Sequence, residues 1–353
     1  MSETYRVGIT RDFLSLIKPE GELEPADIGL DLLDGDADLE VEFLSESLAE
    51  LAVSHVAGYD ALLMLANIPR LPAATIAGAG RLLHVALFGV GYDNVDVDAC
   101  TRAGVVVTIT PDGVRRAMAG AALTFILALS RNLLVKDRLT REGRWGERFS
   151  HNGIGLTGRT LGVVGLGNIG RDLLKLAAPF DMSFLAHDPH VSAEDAANLG
   201  AELVELEQLL RGSDFVCLAC VLNDETRHLM NVERLAMMKP TAYLINVARG
   251  GVVEQAALHE ALRERRIAGA GLDVFEREPI DPGDPILELD NVIVTPHAIG
   301  STDESLREIG RSACESVLDV AAGREPRFVV NPTVLELPRF AERLERRAQG
   351  TAA

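Results

Sequence analysis

Short continuous apolar runs alternate along this chain with stretches of helical spacing. Tyr5–Thr10, Val41–Leu44, Ala61–Ala66 and Leu83–Leu87 read as buried strands, because a strand covered on both faces has no polar side to show. Leu48–Val56 and Ala73–Ala79 carry helical spacing between them. Pro19–Asp38 is acidic, holds Pro and Gly, and predicts exposed loop and helix. From Asp112 to Arg131 the text is Ala/Leu-rich and almost wholly apolar, so a helix buried on most sides is expected, with Asp112 as its cap. Arg138–Gly155 is polar, contains the single tryptophan, Trp145, and predicts a connecting arm. A second alternation runs from Arg159 to about His297. A long helix over Asp303–Ala322 and a short Arg/Glu-rich one over Arg339–Arg347 follow. Strands alternating with helices predict an α/β fold with parallel sheets, and 353 residues favour two domains.

Charge and composition narrow the function classes. The net charge is −19, which opposes a nucleic-acid surface because phosphates are repelled by a negative field. No apolar run reaches the roughly 18 residues of a membrane span; the longest, Ala117–Leu129, contains Gly120 and Thr124. The opening residues are too few and too polar for a secretory signal, so a soluble cytoplasmic protein is the expectation. Cys217 and Cys220 form a C-x-x-C, but inside the apolar run Asp214–Leu222 and with no second ligand pair. They are expected as core residues rather than a metal site.

Chemistry concentrates in two places. Thr160-Leu-Gly-Val-Val-Gly-Leu-Gly-Asn-Ile-Gly170 places a strand before Gly165, Gly167 and Gly170 in G-x-G-x-x-G spacing, with a helix opening at Asn168 and Ile169. The three glycines serve a tight turn, backbone approach to a pyrophosphate and helix–strand packing. The helix N-terminus offers free N–H groups to the phosphate charge. The next strand, Met182–Ala186, leads to Asp188, close to the usual separation of about 20 residues for the acid that accepts from the adenosine ribose. A carboxylate there repels a 2′-phosphate, so NAD(H) is expected over NADP.

Downstream, three apolar strands end in polar residues: Arg249, Glu278 after Phe275, and His297. Ligands of open α/β sheets bind beyond the carboxyl ends of strands, so all three are expected on the edge that carries the glycine loop. A histidine suits proton delivery to a forming alkoxide, a carboxylate orients it, and an arginine fork holds a carboxylate or polarises a carbonyl. His228 is a weaker candidate, with no carboxylate placed by the sequence to orient it. His84 and His259 read as structural.

These motifs, together with Gly89-Val-Gly-Tyr-Asp-Asn-Val-Asp96, Ile245-Asn-Val-Ala-Arg-Gly-Gly251, Gly271-Leu-Asp-Val-Phe-Glu-Arg-Glu-Pro279 and Thr295-Pro-His297, resemble the D-isomer-specific 2-hydroxyacid dehydrogenases. The resemblance implies two Rossmann-like doubly wound parallel-sheet domains, with the cofactor domain inserted into the substrate domain. It implies a substrate domain from residues 1–111 and 298–353 and an NAD-binding domain over 112–297. It implies reversible hydride transfer between NADH and a small 2-oxo acid. His297 would be the acid/base paired with Glu278, and Arg249 would bind the substrate carboxylate and carbonyl. The N–H groups around Val90 and Gly91 would hold the carboxylate, and Asp273 would lie near the nicotinamide. The helix from Asp112 and the arm through Trp145 resemble the elements that form the family's homodimer. Leu87, Gly120 and Val221 depart from the family pattern. A second implication, from the same family, is an NAD(H)-sensing corepressor-like scaffold that retains these residues.

Overall fold

The computed structural model describes residues 4–17, 27–35 and 38–351. Part of the predicted Pro19–Asp38 stretch lies outside the described residues. The chain divides into two units, Met1–Val114 with Ser301–Ala353, and Arg115–Gly300.

In the first unit, β1 (Tyr5–Ile9), β2 (Leu39–Phe43), β3 (Ala61–Leu65), β4 (His84–Phe88) and β5 (Val106–Thr108) form one parallel sheet in the order β2-β1-β3-β4-β5. The inner strands β3 and β4 are covered on both faces, which is why they read as unbroken apolar runs. The edge strand β2 instead exposes Glu40 and Glu42. One face is closed by the returning helix Asp303–Ala321, whose Ile309, Ala313, Cys314, Val317 and Val320 join the cluster that includes Val7, Ile9, Ala86 and Phe88. Thr302 caps that helix by accepting from the Ser305 N–H at 3.1 Å.

In the second unit, β6 (Thr160–Val164), β7 (Ser183–His187), β8 (Ala201–Leu203), β9 (Phe215–Leu218), β10 (Tyr243–Asn246), β11 (Gly269–Leu272) and β12 (Val292–Val294) are again all parallel. Their order is β12-β11-β10-β9-β6-β7-β8. Strand order reverses between β6 and β9, the switch point at which such sheets bind ligands beyond their carboxyl ends. The parallel sheets are those the alternation predicted, and their two Rossmann-like units are those the family resemblance implied.

Several local expectations are corrected. The helix expected over Leu48–Val56 is only Val53–Val56, because the residues before it pair with the Arg70 segment instead: Leu51 N–H donates to the Arg70 carbonyl at 2.9 Å. The helix expected from Asp112 begins at Pro111, which suits a first-turn position because it has no N–H to leave unpaired. Asp112 lies inside that turn and pairs with Arg327 at 3.0 Å. This helix, Pro111–Ser130, is longer than the apolar run suggested, and among the described residues it alone has the length and composition of a membrane span. Its Ala119, Ala122, Phe125, Ile126 and Leu129 are buried in the core with residues of β6 and β9, the signature of a core helix. The expected arm over Arg138–Gly155 starts helically, as the end of Leu133–Arg141. The apolar run Asp214–Leu222 is a strand only to Leu218, and Val221 is exposed. Cys217 is buried in the strand, whereas Cys220 lies beyond it and is half-buried; both are free thiols.

His84 is fully buried at the start of β4. One ring nitrogen, Nε2, is 2.8 Å from the Thr108 hydroxyl, and Nδ1 has no partner. Burial depresses its pKa to about 3, so the folded chain holds a neutral ring where the unfolded chain takes up a proton. A depressed histidine pKa gives stability that is present above the unfolded value and lost as pH falls. His84 should therefore cost the fold up to about 1.4 kcal/mol for each pH unit below roughly 6.5. In urea unfolding at pH 7 and pH 5, His84→Gln should lose less stability on acidification than the parent. Equal losses in the two proteins would exclude His84 as the source.

Candidate active site

Loops after β6, β7, β10, β11 and β12, at the carboxyl edge of the seven-stranded sheet, carry the polar residues. The first joins β6 to the helix Asn168–Ala177. Gly165 takes φ +94°, a left-handed value that favours glycine, and a Cβ there would stand 2.6 Å from the Cys220 N. A Cβ at Gly170 would meet the Gly165 carbonyl, so helix and loop touch backbone to backbone. Gly167 has open space where a Cβ would be, and no side chain caps the helix that follows it. The loop is thus an uncapped helix N-terminus with clear approach, which fits a pyrophosphate. Asn168 and Ile169 form its first turn.

Asp188 lies just past β7. Its Oδ2 accepts the Leu166 N–H at 2.8 Å and its Oδ1 accepts the His190 N–H at 2.9 Å. Each oxygen keeps a further lone pair. Arg171, which the sequence reading passed over, donates from Nε to the Leu166 carbonyl at 2.9 Å. Leu166 is therefore held at both its N–H and its carbonyl. A basic residue directly after the third glycine was the available signal.

The next loop follows β10. Asn246, 1% exposed, accepts the Ala248 N–H at 3.1 Å and donates to the Arg249 carbonyl at 3.0 Å, folding the turn over the strand end. A Cβ at Gly250 would coincide with the Phe275 carbonyl. The Arg249 turn therefore lies directly on the loop that leads to Glu278.

The last group is the pair itself. His297 donates from Nδ1 to Glu278 Oε2 at 2.7 Å, and Glu278 Oε1 accepts the Phe275 N–H at 2.9 Å. Burial alone would raise the Glu278 carboxyl. The His297 hydrogen bond and charge, the Phe275 N–H and the Arg249 charge outweigh it, and the pKa falls below the usual glutamate value. His297 takes φ +55°. It is flanked by a buried brace: Asp273, 1% exposed, accepts on Oδ1 from the Thr295 hydroxyl at 2.7 Å, the Ala298 N–H at 3.0 Å and the Ile299 N–H at 3.1 Å. Arg249, Glu278 and His297 thus stand on one sheet edge, with Glu278 hydrogen-bonded to His297 and within the electrostatic reach of Arg249.

His228 overturns its sequence reading. It does have a carboxylate: its Nε2 is 2.6 Å from Glu276 Oε1, across 48 residues of chain. His259 lies in the helix Gln255–Arg263, largely covered. In the first unit, Val90 and Gly91 follow β4 in the loop that opens at Gly89, where φ is +130°. The Thr110 hydroxyl receives the Gly89 N–H at 2.8 Å. Leu87 is wholly buried in β4, and Gly120 has open space beside it. No group of three or more potential metal ligands occurs among the described residues.

Residues 123–298 match the family model for the D-isomer specific 2-hydroxyacid dehydrogenase NAD binding domain. A glyoxylate reductase of Korarchaeum cryptofilum is 40% identical over 291 residues, 82% of this chain and 87% of that protein. The chain belongs to the D-isomer-specific 2-hydroxyacid dehydrogenase family. It is an oxidoreductase acting on 2-hydroxy acids, and its cofactor is NAD(H). A D-3-phosphoglycerate dehydrogenase of Archaeoglobus fulgidus is 37% identical over 298 residues, 84% of this chain but 56% of that longer protein. Among solved structures of similar fold, the TT0316 protein of Thermus thermophilus gives a TM-score of 0.79 at 34% identity, covering 92% of this chain and 99% of its own. The glycine loop, Asp188 and the Arg249, Glu278 and His297 edge all lie in the part matched as the family's NAD-binding domain.

Proposed function

We propose that this family member reduces a small 2-oxo acid to its D-2-hydroxy acid, with His297 as the acid/base. The observation that carries this is the 2.7 Å bond from His297 Nδ1 to a Glu278 held ionised. With Nδ1 committed to Glu278, Nε2 is the ring nitrogen that carries the exchangeable proton. Bound NADH supplies the hydride. His297 gives its proton to the oxygen as negative charge forms there, and in the reverse direction takes it back. The Glu278 carboxylate fixes the ring and stabilises its charged form. Arg249, beside Glu278, binds the substrate carboxylate and polarises the carbonyl with its planar fork. The Val90 and Gly91 N–H groups are further carboxylate donors. Gly165, Gly167, Asn168, Ile169 and Gly170 hold the pyrophosphate, and Asp188 the adenosine ribose. Asp273 supports the nicotinamide end by bracing the His297 loop.

The substrate is a 2-oxo acid without a phosphate. Arg70, the cation nearest in sequence to the loop after β3, is largely exposed and faces Glu50 at 3.8 Å. We also propose a homodimer built through the arm after Pro111–Ser130, where Leu133, Leu134, Trp145 and Phe149 are all exposed.

NADH consumption against glyoxylate, hydroxypyruvate, pyruvate, 2-oxoglutarate, phenylpyruvate and 3-phosphohydroxypyruvate tests the reading. Turnover of an unphosphorylated member is expected, and NADH binding without any turnover would favour a scaffold role. His297→Ala should lower turnover by about 10²–10⁴ with NADH affinity little changed; undiminished turnover would remove His297 from the chemistry. Asp188→Ala should weaken NADH binding and relax discrimination against NADPH, and an unchanged ratio of the two affinities would count against the ribose role. Light scattering should give twice the chain mass, and Trp145→Glu with Phe149→Glu should give single chains; a parent protein of single-chain mass would end the dimer proposal.

A further inference from the structure

The second histidine–carboxylate pair of the seven-stranded unit, His228 with Glu276, lies outside the proposed chemistry but grips the turn that carries Arg249. His228 takes φ +50°, a left-handed value uncommon for a residue with a side chain. Its N–H donates to the Gly251 carbonyl at 2.8 Å, and two residues on the Met230 N–H donates to the Val252 carbonyl at 3.0 Å. The chain around His228 therefore runs along one side of the Gly250–Val253 turn. Glu276 secures the other side. Its Oε1 accepts from His228 Nε2 at 2.6 Å, its Oε2 accepts the Gln255 N–H at 3.2 Å, and its own N–H donates to Gln255 Oε1 at 3.0 Å. Gly250 presses on the Phe275 carbonyl immediately before Glu276. The contacts close a ring: His228 to Gly251, along the turn to Gly250, across to Phe275 and Glu276, and back to His228.

We infer that His228 and Glu276 are positioning residues that hold in place the turn from which Arg249 projects, and through it set the affinity for the 2-oxo acid; the guanidinium itself donates to the Ala248 carbonyl of that turn at 2.9 Å. This rests on the reading that Arg249 binds that acid. The half-exposed pair, with side chains 40% and 38% exposed, is of the kind that contributes little to global stability. Its effect is local: a fork that binds a carboxylate through two parallel bonds loses affinity when its base can swing.

The experiment compares His228→Asn, His228→Gln and Arg249→Ala in the full chain with glyoxylate as probe, or the panel member turned over fastest. Asparagine tolerates the left-handed backbone but is too short to reach Glu276, whereas glutamine places an amide N–H near the position of Nε2. His228→Asn should raise KM for the acid about tenfold and lower kcat about threefold, both by less than Arg249→Ala does. Its Kd for NADH, read by fluorescence, and its Tm should stay at the parent values. His228→Gln should recover most of the lost affinity. An unchanged KM in His228→Asn beside a raised KM in Arg249→Ala would overturn the positioning role. So would parallel losses in KM, NADH binding and Tm, which mark general disruption. An unchanged KM in Arg249→Ala would instead overturn the reading of Arg249 itself.

Discussion

Every pairing in the seven-stranded sheet is parallel, and that single constraint places the chemistry. Parallel strands must each be followed by a crossover, so all seven deliver their carboxyl ends to the same edge. Gly165, Asp188, Arg249, Glu278 and His297 are scattered over more than a hundred residues of chain. They share one edge because each follows a strand of the same sense. An antiparallel strand among β6, β7, β10, β11 and β12 would have carried its residue to the opposite side. The cost of this plan is that neighbouring loops crowd one edge and cross closely, which explains where two of the glycines fall. Gly165 against Cys220 and Gly250 against Phe275 are positions where two backbones meet with no room for a Cβ.

Close approach alone does not aim a side chain. Beside the half-exposed His228–Glu276 pair, that task falls to polar groups that are themselves buried. Asn246 ties the Arg249 turn to the end of β10, and Asp273 gathers three donors from the segment on either side of His297. A buried carboxylate is tolerable only when its charge is answered by hydrogen bonds. Asp273 meets that condition by organising the loop next to it. The left-handed backbone of His297 is thereby imposed by packing and hydrogen bonding rather than by its own preference. Glu278 stays below the usual glutamate pKa because its partners outweigh its burial.

Much of this was legible in the sequence, for definable reasons. Buried parallel strands leave unbroken apolar runs, and the glycine spacing of the nucleotide loop is set by local geometry; both survive in one dimension. The three polar strand ends were legible because the strands before them were. Features that depend on distant partners were not. Leu48–Val56 has helical spacing, but its first residues pair with the Arg70 segment, and no local pattern announces that. His228 and Glu276 are 48 residues apart, and Asp273 lies 22 residues from Thr295, so neither pairing is visible in the sequence. Arg171 shows the opposite case: its place after the third glycine is visible in the sequence, but its partner is a backbone carbonyl, which no residue type announces.

The bond from the Leu166 N–H to Asp188 has a consequence for how this protein could change its cofactor preference. The carboxylate proposed to read the ribose also holds the phosphate loop in shape. A lineage moving toward a 2′-phosphorylated cofactor cannot simply exchange Asp188 for a neutral or cationic residue. The exchange would strand the Leu166 amide at the moment the loop must bind a more highly charged ligand. A second substitution, supplying a new acceptor for that amide, would have to come first or arrive together with it. An exchange at Asp188 therefore alters two things at once: the group proposed to face the ribose and the acceptor that holds the Leu166 amide.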